Sequence, residues 1–275
     1  HGLRPFRYVM SAWYKRTIDG ILLDITGVLY ESGTGGGTPI PGSIEAVKKL
    51  KSSGIPVRFC TNETTTTCRK LVEKLEKLGF ELDENEIFAP IPAVCTILRQ
   101  RGLRPHLLVH PDCVPDFEGV NTRNPNCVVI SDATHEFSYE NMNRAFQLLM
   151  ALEKPILFSL GAGKFYKEDD KLVLDVGAYM NALEYATDVK AEIVGKPSPA
   201  FFNTAVHDME VLPDRAVMVG DDIVNDVGGA QACGMIGVQV RTGKYRQLDE
   251  NHPTVKPDGY VENLAEAVDL ILCKK

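Results

Sequence analysis

The run Gly20-Ile21-Leu22-Leu23 stops on Asp24, and far along the chain Ala216-Val217-Met218-Val219-Gly220 stops on Asp221-Asp222. A short unbroken apolar stretch that ends on an acid reads as a parallel strand buried on both faces, delivering the acid at its carboxyl end. The doubly wound α/β sheet buries such strands and gathers its ligands at those ends. The flanking residues agree. From Ser43 the apolar positions Ile44, Val47 and Leu50 recur at helical spacing, Gly54 ends the segment, and Pro56-Val57-Arg58-Phe59-Cys60 follows as a strand. Thr61-Asn62 closes that strand, and Cys68 to Leu78 forms a further amphipathic helix before Gly79. After Asp222, a helix over 228–233 leads to the strand Ile236-Gly237-Val238-Gln239-Val240.

Residues 17–88 and 191–275 are therefore expected to form one α/β core, a Rossmann-like, doubly wound parallel sheet. Residues 89–190 carry strands at His106 to His110, Cys127 to Ile130 and Pro155 to Leu160, and a helix at Tyr139 to Leu152. At about 100 residues, a common domain size, this stretch reads as an inserted α/β domain. Residues 1–16 form an N-terminal segment, in which Met10-Ser11-Ala12 reads as a native start and residues 1–9 as an expression-derived leader.

A net charge of −7 argues against nucleic-acid and anionic-membrane partners, which call for a basic surface. No apolar run approaches the roughly 18 residues that span a bilayer, and the polar start Leu3-Arg4-Pro5-Phe6-Arg7 does not form a signal-peptide core. The seven cysteines contain no C-x-x-C pair and are odd in number, which favours a reducing, cytosolic setting. Without a secretory signal, the sequon Asn62-Glu63-Thr64 does not meet its transferase. Gly161-Ala162-Gly163-Lys164 fails the P-loop pattern at both ends, and His106 with His110 lacks the further ligands that zinc needs.

Polar groups at strand ends or helix starts carry the chemistry: Asp24 with Thr26, Thr61 with Asn62, Lys196, and Asp221 with Asp222 and Asp226. Phosphoryl transfer needs a nucleophile, donors for the equatorial oxygens, a cation near developing charge and carboxylates to hold magnesium. This set contains each of them.

Asp24-Ile25-Thr26-Gly27-Val28-Leu29, Cys60-Thr61-Asn62, Gly195-Lys196-Pro197 and Gly220-Asp221-Asp222-Ile223-Val224-Asn225-Asp226 resemble, in order, the four motifs of the haloacid dehalogenase superfamily. The resemblance implies a magnesium-dependent phosphohydrolase with an aspartyl-phosphate on Asp24. It implies magnesium held by Asp24, Asp221 and the Thr26 carbonyl, phosphate held by Asp24, Ile25, Thr26, Thr61, Asn62 and Lys196, and Lys196 as the neutralising cation. Asp222 and Asp226 stand open between helix capping and duty beside the metal. Residues 89–190 correspond to the large type IIA (C2) cap, which closes over the core, and a homodimer is implied with it.

One position departs from the usual pattern. Most phosphatases of the superfamily carry a second Asp two residues after the nucleophile to protonate the leaving group, and here that position is Thr26. A hydroxyl is not acidic enough for that task near neutral pH, so phosphoramidates and phosphoanhydrides are expected to be better substrates than alkyl phosphates. The runs Gly33-Thr34-Gly35-Gly36-Gly37, Asn124-Pro125-Asn126-Cys127-Val128-Val129-Ile130 and Phe137-Ser138-Tyr139-Glu140-Asn141-Met142-Asn143 resemble a branch of the family that agrees. That branch hydrolyses phospholysine, phosphohistidine and inorganic pyrophosphate in cytosol and nucleus, so small phosphorylated substrates and phosphohistidine or phospholysine proteins are the implied partners. Two alternatives stay open at this point: a phosphomonoesterase of the pyridoxal phosphate or phosphoglycolate type, and a phosphate-binding module without turnover.

Overall fold

The computed structural model describes residues 12–273. The expected leader and the start at Met10 lie outside the described residues.

Six parallel strands form the larger sheet, in the order Gly259–Val261, Ile236–Val240, Ala216–Gly220, Gly20–Leu23, Val57–Cys60, Ile87–Phe88. Gly20–Leu23 is central, and its neighbours come from opposite ends of the chain. Ile21, Leu22 and Leu23 are all fully buried because helices cover both faces. Ile21 and Leu23 pack with Val47, Leu50, Leu75 and Ile271, while Leu22 packs with Phe202, Val206 and Met218. Each such side chain contributes about 1.5–3 kcal/mol on burial. This two-sided packing is the physical reason that the run is apolar without alternation.

The expected helices form at Ser43–Ser52 and at Cys68–Leu78, where Thr67 caps the start and Gly79, in the left-handed region at φ 105°, ends the helix. The helix expected over 228–233 begins earlier, as a π-helical turn at Ile223–Gly228 continued by Gly229–Ala232. Asp222 sets that start, because its carboxylate accepts from Val224 N and Asn225 N.

A second sheet has four parallel strands in the order Glu192–Ile193, Leu157–Ser159, Cys127–Ile130, Pro105–Leu108. Pro90–Arg101 covers one face, and Tyr139–Ala151 with Val176–Thr187 covers the other. Its edge strand falls after position 190, so the chain leaves this sheet only beyond Val194, which packs with Ile91 and Val94. Two residues, one of them charged, are too short a strand to announce themselves by periodicity.

Residues 161–164 lead into an antiparallel hairpin, Phe165–Glu168 with Lys171–Leu174. Its two-residue turn is Asp169-Asp170, both left-handed at φ 45° and 59°, as a tight hairpin turn requires. Among the described residues no helix is long and apolar enough to cross a membrane.

Candidate active site

The strand order of the larger sheet reverses between Gly20–Leu23 and Ala216–Gly220, the switch point at which open α/β sheets leave a crevice. The parallel register carries Asp24 and Asp221 out of adjacent strand ends together, and Asp24 N donates to Val219 O at 3.0 Å. Asp226, on the turn after Asp221, completes a buried triad whose oxygens lie within 4.8 Å of one another. Lys196 Nζ reaches in between, 2.8 Å from Asp24 Oδ1 and 2.7 Å from Asp226 Oδ1.

Three carboxylates and one ammonium leave two negative charges in excess, in a place where Asp24, Asp221 and Asp226 are nearly closed to water. The titration directions follow from that imbalance. Burial, then the neighbouring acids, push the carboxyls of Asp24 and Asp221 up to about 6 and that of Asp226 up to about 8, against the pull of Lys196 and Lys244. Burial alone would lower Lys196, yet Asp226 and Asp24 hold its ammonium above the ordinary lysine value. Asp221 Oδ1 is buried without a hydrogen-bond partner. An orphaned carboxylate oxygen, an all-oxygen donor set and two surplus charges together fit a divalent cation of the hard, oxygen-seeking kind.

The site also depends on missing side chains. A methyl group added at Gly27 (φ 86°) or at Gly243 (φ 63°) would land on the Asp221 carboxylate, and one at Gly220 on that of Asp226.

The other residues named from sequence distribute unevenly. Ile25 N donates to Asp24 Oδ1 at 2.8 Å, so its amide holds the aspartate itself. Thr26 lines the cavity. Thr61 is buried there and its hydroxyl accepts from Glu63 N at 2.9 Å. Asn62 spends its amide on the backbone of Lys196: Nδ2 donates to Lys196 O at 2.8 Å and Oδ1 accepts from Lys196 N at 2.9 Å. It is a two-point clamp joining segments 134 residues apart. The two acids left open by the sequence differ in their partners. Asp222 is saturated by Val224 N, Asn225 N, Asn225 Nδ2 and Lys244 Nζ, whereas Asp226 joins the triad.

Lys244 was not singled out in the sequence. Its N–H donates to Asp221 Oδ2 at 2.9 Å, and its Nζ lies 2.9 Å from Asp222 Oδ2 and 3.3 Å from Phe165 O of the hairpin. Its place in the loop after the strand Ile236–Val240, at a carboxyl end, was the available signal. Asp132, just after the strand Cys127–Ile130, Tyr166 on the hairpin and Asp175 at the start of the helix Val176–Thr187 line the other side of the crevice, whose cavity is about 340 Å³. Burial pushes the Asp175 carboxyl up to about 6 and raises that of Asp132. Cys60, under the site, is held as a neutral thiol by burial, its titration pushed up to about 12.

A family model described as haloacid dehalogenase-like hydrolase matches residues 21–123, and a HAD-hydrolase-like model matches residues 193–267. Two curated relatives are the phospholysine phosphohistidine inorganic pyrophosphate phosphatases of Homo sapiens, 60% identical, and Danio rerio, 58% identical. Both alignments cover 96% of this chain and 98% of the relative. Among solved structures, the 4-nitrophenylphosphatase of Thermotoga maritima superimposes with a TM-score of 0.82 at 25% identity, over 94% of this chain and 99% of that one. NagD of E. coli shares the fold, with a TM-score of 0.77 at 20% identity over 91% of this chain and 98% of its own.

Proposed function

The chain belongs to the haloacid dehalogenase-like hydrolases, and from that premise we propose that it is a magnesium-dependent phosphatase that cleaves P–N and P–O–P bonds, in phospholysine, phosphohistidine and inorganic pyrophosphate. The observation that carries this reading is the buried meeting of Asp24, Lys196, Asp221 and Asp226 at the switch point.

Asp24 is the nucleophile. Its carboxylate oxygen attacks phosphorus, the bond from phosphorus to the leaving nitrogen or oxygen breaks with its electron pair on the leaving group, and an aspartyl-phosphate remains. Water then cleaves that acyl phosphate, releasing inorganic phosphate and restoring Asp24. Lys196 stays protonated and offsets charge on the phosphoryl oxygens, held at its depth by Asn62. Thr61 offers a hydroxyl to those oxygens. A magnesium ion, when bound by Asp24, Asp221 and the Thr26 carbonyl, supplies charge neutralisation and orientation of the phosphoryl group. Asp226 orients Lys196, and Asp222 fixes the turn that presents Asp226. Thr26 donates no proton of matched acidity, so leaving groups that carry their own proton or leave as stable anions are favoured.

Residues 17–88 and the chain after Val194 serve as the core, not all of the expected 191–275, and the second sheet, which includes Glu192–Ile193, serves as a cap that excludes water. The setting that fits seven free cysteines is the cytosol, with the nucleus in reach. Two copies of the chain are expected to pair through the cap, where Tyr139 and Tyr185 stand 87% and 90% exposed.

The test is a panel of pyrophosphate, phosphoimidazole and pyridoxal phosphate, assayed with magnesium and with chelator. Pyrophosphate and phosphoimidazole should be hydrolysed only with magnesium, and Asp24→Asn should abolish turnover while acid quench of the native protein traps phosphate on it. Preference for the ester, or an active Asp24→Asn, would overturn the reading.

A further inference from the structure

The glycine-rich run Gly33-Thr34-Gly35-Gly36-Gly37 and the tip of the hairpin at 165–174 take no part in the chemistry above, yet they meet. Thr34 N–H and Thr34 Oγ–H donate to the two oxygens of the Asp169 carboxylate, each at 2.9 Å, across 135 residues of sequence. These two donors also hold the Asp169 carboxyl below its ordinary value. A methyl group at Gly33 would collide with that carboxylate, and Gly35, Gly36 and Gly37 all take positive φ, so the loop reaches the hairpin only as glycines. Two further contacts tie the same hairpin down: Ser32 Oγ–H donates to Lys167 O at 3.0 Å, and Lys244 Nζ donates to Phe165 O at 3.3 Å. Between the ties, Tyr166, Lys167 and Glu168 roof the cavity that holds Asp24.

The pinned hairpin has a consequence for access. Pyrophosphate or a free phosphoramidate is small against a cavity of about 340 Å³. A phosphorylated lysine or histidine in a protein arrives with its backbone and neighbours attached, which would meet the hairpin held at three places beside the cavity. We propose that Asp169 and Thr34 form a clasp that determines specificity, admitting small phosphoryl donors directly and macromolecular phosphoramidates only when it opens. The proposal rests on the function proposed above and names what divides its substrates. The clasp is solvent-exposed and polar, so its opening is readily reversible.

The experiment compares the wild-type protein with Thr34→Ala, Asp169→Ala and Asp169→Asn. Substrates are pyrophosphate, phosphoimidazole and polylysine phosphorylated by phosphoramidate. Thr34→Ala removes one of the two bonds and Asp169→Ala both, so kcat/KM on phosphorylated polylysine should rise in that order, up to about tenfold. Asp169→Asn, which keeps an acceptor for Thr34, should stay nearer to wild type. On pyrophosphate, kcat/KM should stay level or fall. Equal changes on both substrate classes, or none, would overturn the clasp. Amide hydrogen exchange over 165–174 reads the same contact without turnover. It should quicken in Asp169→Ala, and unchanged exchange counts against the clasp. A wild-type protein inactive on all three substrates refutes the function proposed above, leaving the exchange arm to judge the clasp alone.

Discussion

Lys196 shows how much of this site is arranged by residues that do not face the substrate. Its ammonium lies between Asp24 and Asp226, and its backbone is gripped on both sides by the Asn62 amide. Asp24, Asp221 and Asp226 nonetheless retain more negative charge than Lys196 can balance, which makes a pH-dependent prediction. Their carboxyls titrate near 6, 6 and 8 in the folded protein against 3.8 for an ordinary aspartate. A carboxyl raised by folding contributes stability that is complete below its unfolded value and is lost as pH climbs through the folded one. The metal-free protein should therefore lose thermal stability from about pH 4 up to about pH 8.5. Magnesium, which takes the deprotonated site, should raise Tm more at the upper end than at the lower. Scanning calorimetry across that range with magnesium and with chelator reads both trends, and a magnesium shift independent of pH would contradict the charge imbalance. Asp24 and Asp221 were legible in the sequence because each ends an apolar run. The division of labour between Asp222 and Asp226 was not, since either fits a cap by spacing and only the fold shows which one Lys244 saturates.

At the scale of elements, the loops at strand carboxyl ends do the placing. Gly27 and Gly243 belong to two such loops and lie against each other at the same Asp221 carboxylate oxygen, with no room for a Cβ. Gly243→Ala should leave the sheet intact but displace Asp221, weakening magnesium dependence and lowering kcat/KM by about 10- to 100-fold, the usual range for residues that set a ligand's orientation. Magnesium titration of activity, with circular dichroism as the check on folding, would show it, and unchanged magnesium affinity would speak against the crowding. Four strands of the larger sheet and helices such as Cys68–Leu78 follow from periodicity, capping and glycine stops, whereas its edge strands Ile87–Phe88 and Gly259–Val261 were not read from the sequence. The hairpin at 165–174 and the edge strand Glu192–Ile193 escape the same reading. Their residues are half-exposed and mixed in character, and what fixes them is contact with distant segments such as Thr34 and Leu157–Ser159.

For the whole molecule, the pairing of two copies proposed above would use the outer surface of the helices that cover the second sheet. Tyr139 and Tyr185 project from the adjoining helices Tyr139–Ala151 and Val176–Thr187. Light scattering should give twice the 30.3 kDa chain mass, and Tyr139→Glu with Tyr185→Glu should return it to the monomer value without altering the fold. A monomeric mass for the unaltered chain would dismiss the pairing. The type IIA resemblance implied a homodimer, but the sequence did not point to these residues, because two isolated tyrosines carry no periodic signal.

The central place of Gly20–Leu23 also bears on how the protein is made. The strand that pairs along one of its sides, Ala216–Gly220, leaves the ribosome long after it does, and Asp221 and Asp226 follow directly behind. Until then the nascent chain exposes an unpaired edge of apolar strand, the kind of surface chaperones protect. Asp24 meanwhile lacks Asp221 and Asp226, the two acids that stand beside it in the folded chain. The order of synthesis thus completes the acidic cluster and covers that apolar edge in the same late step.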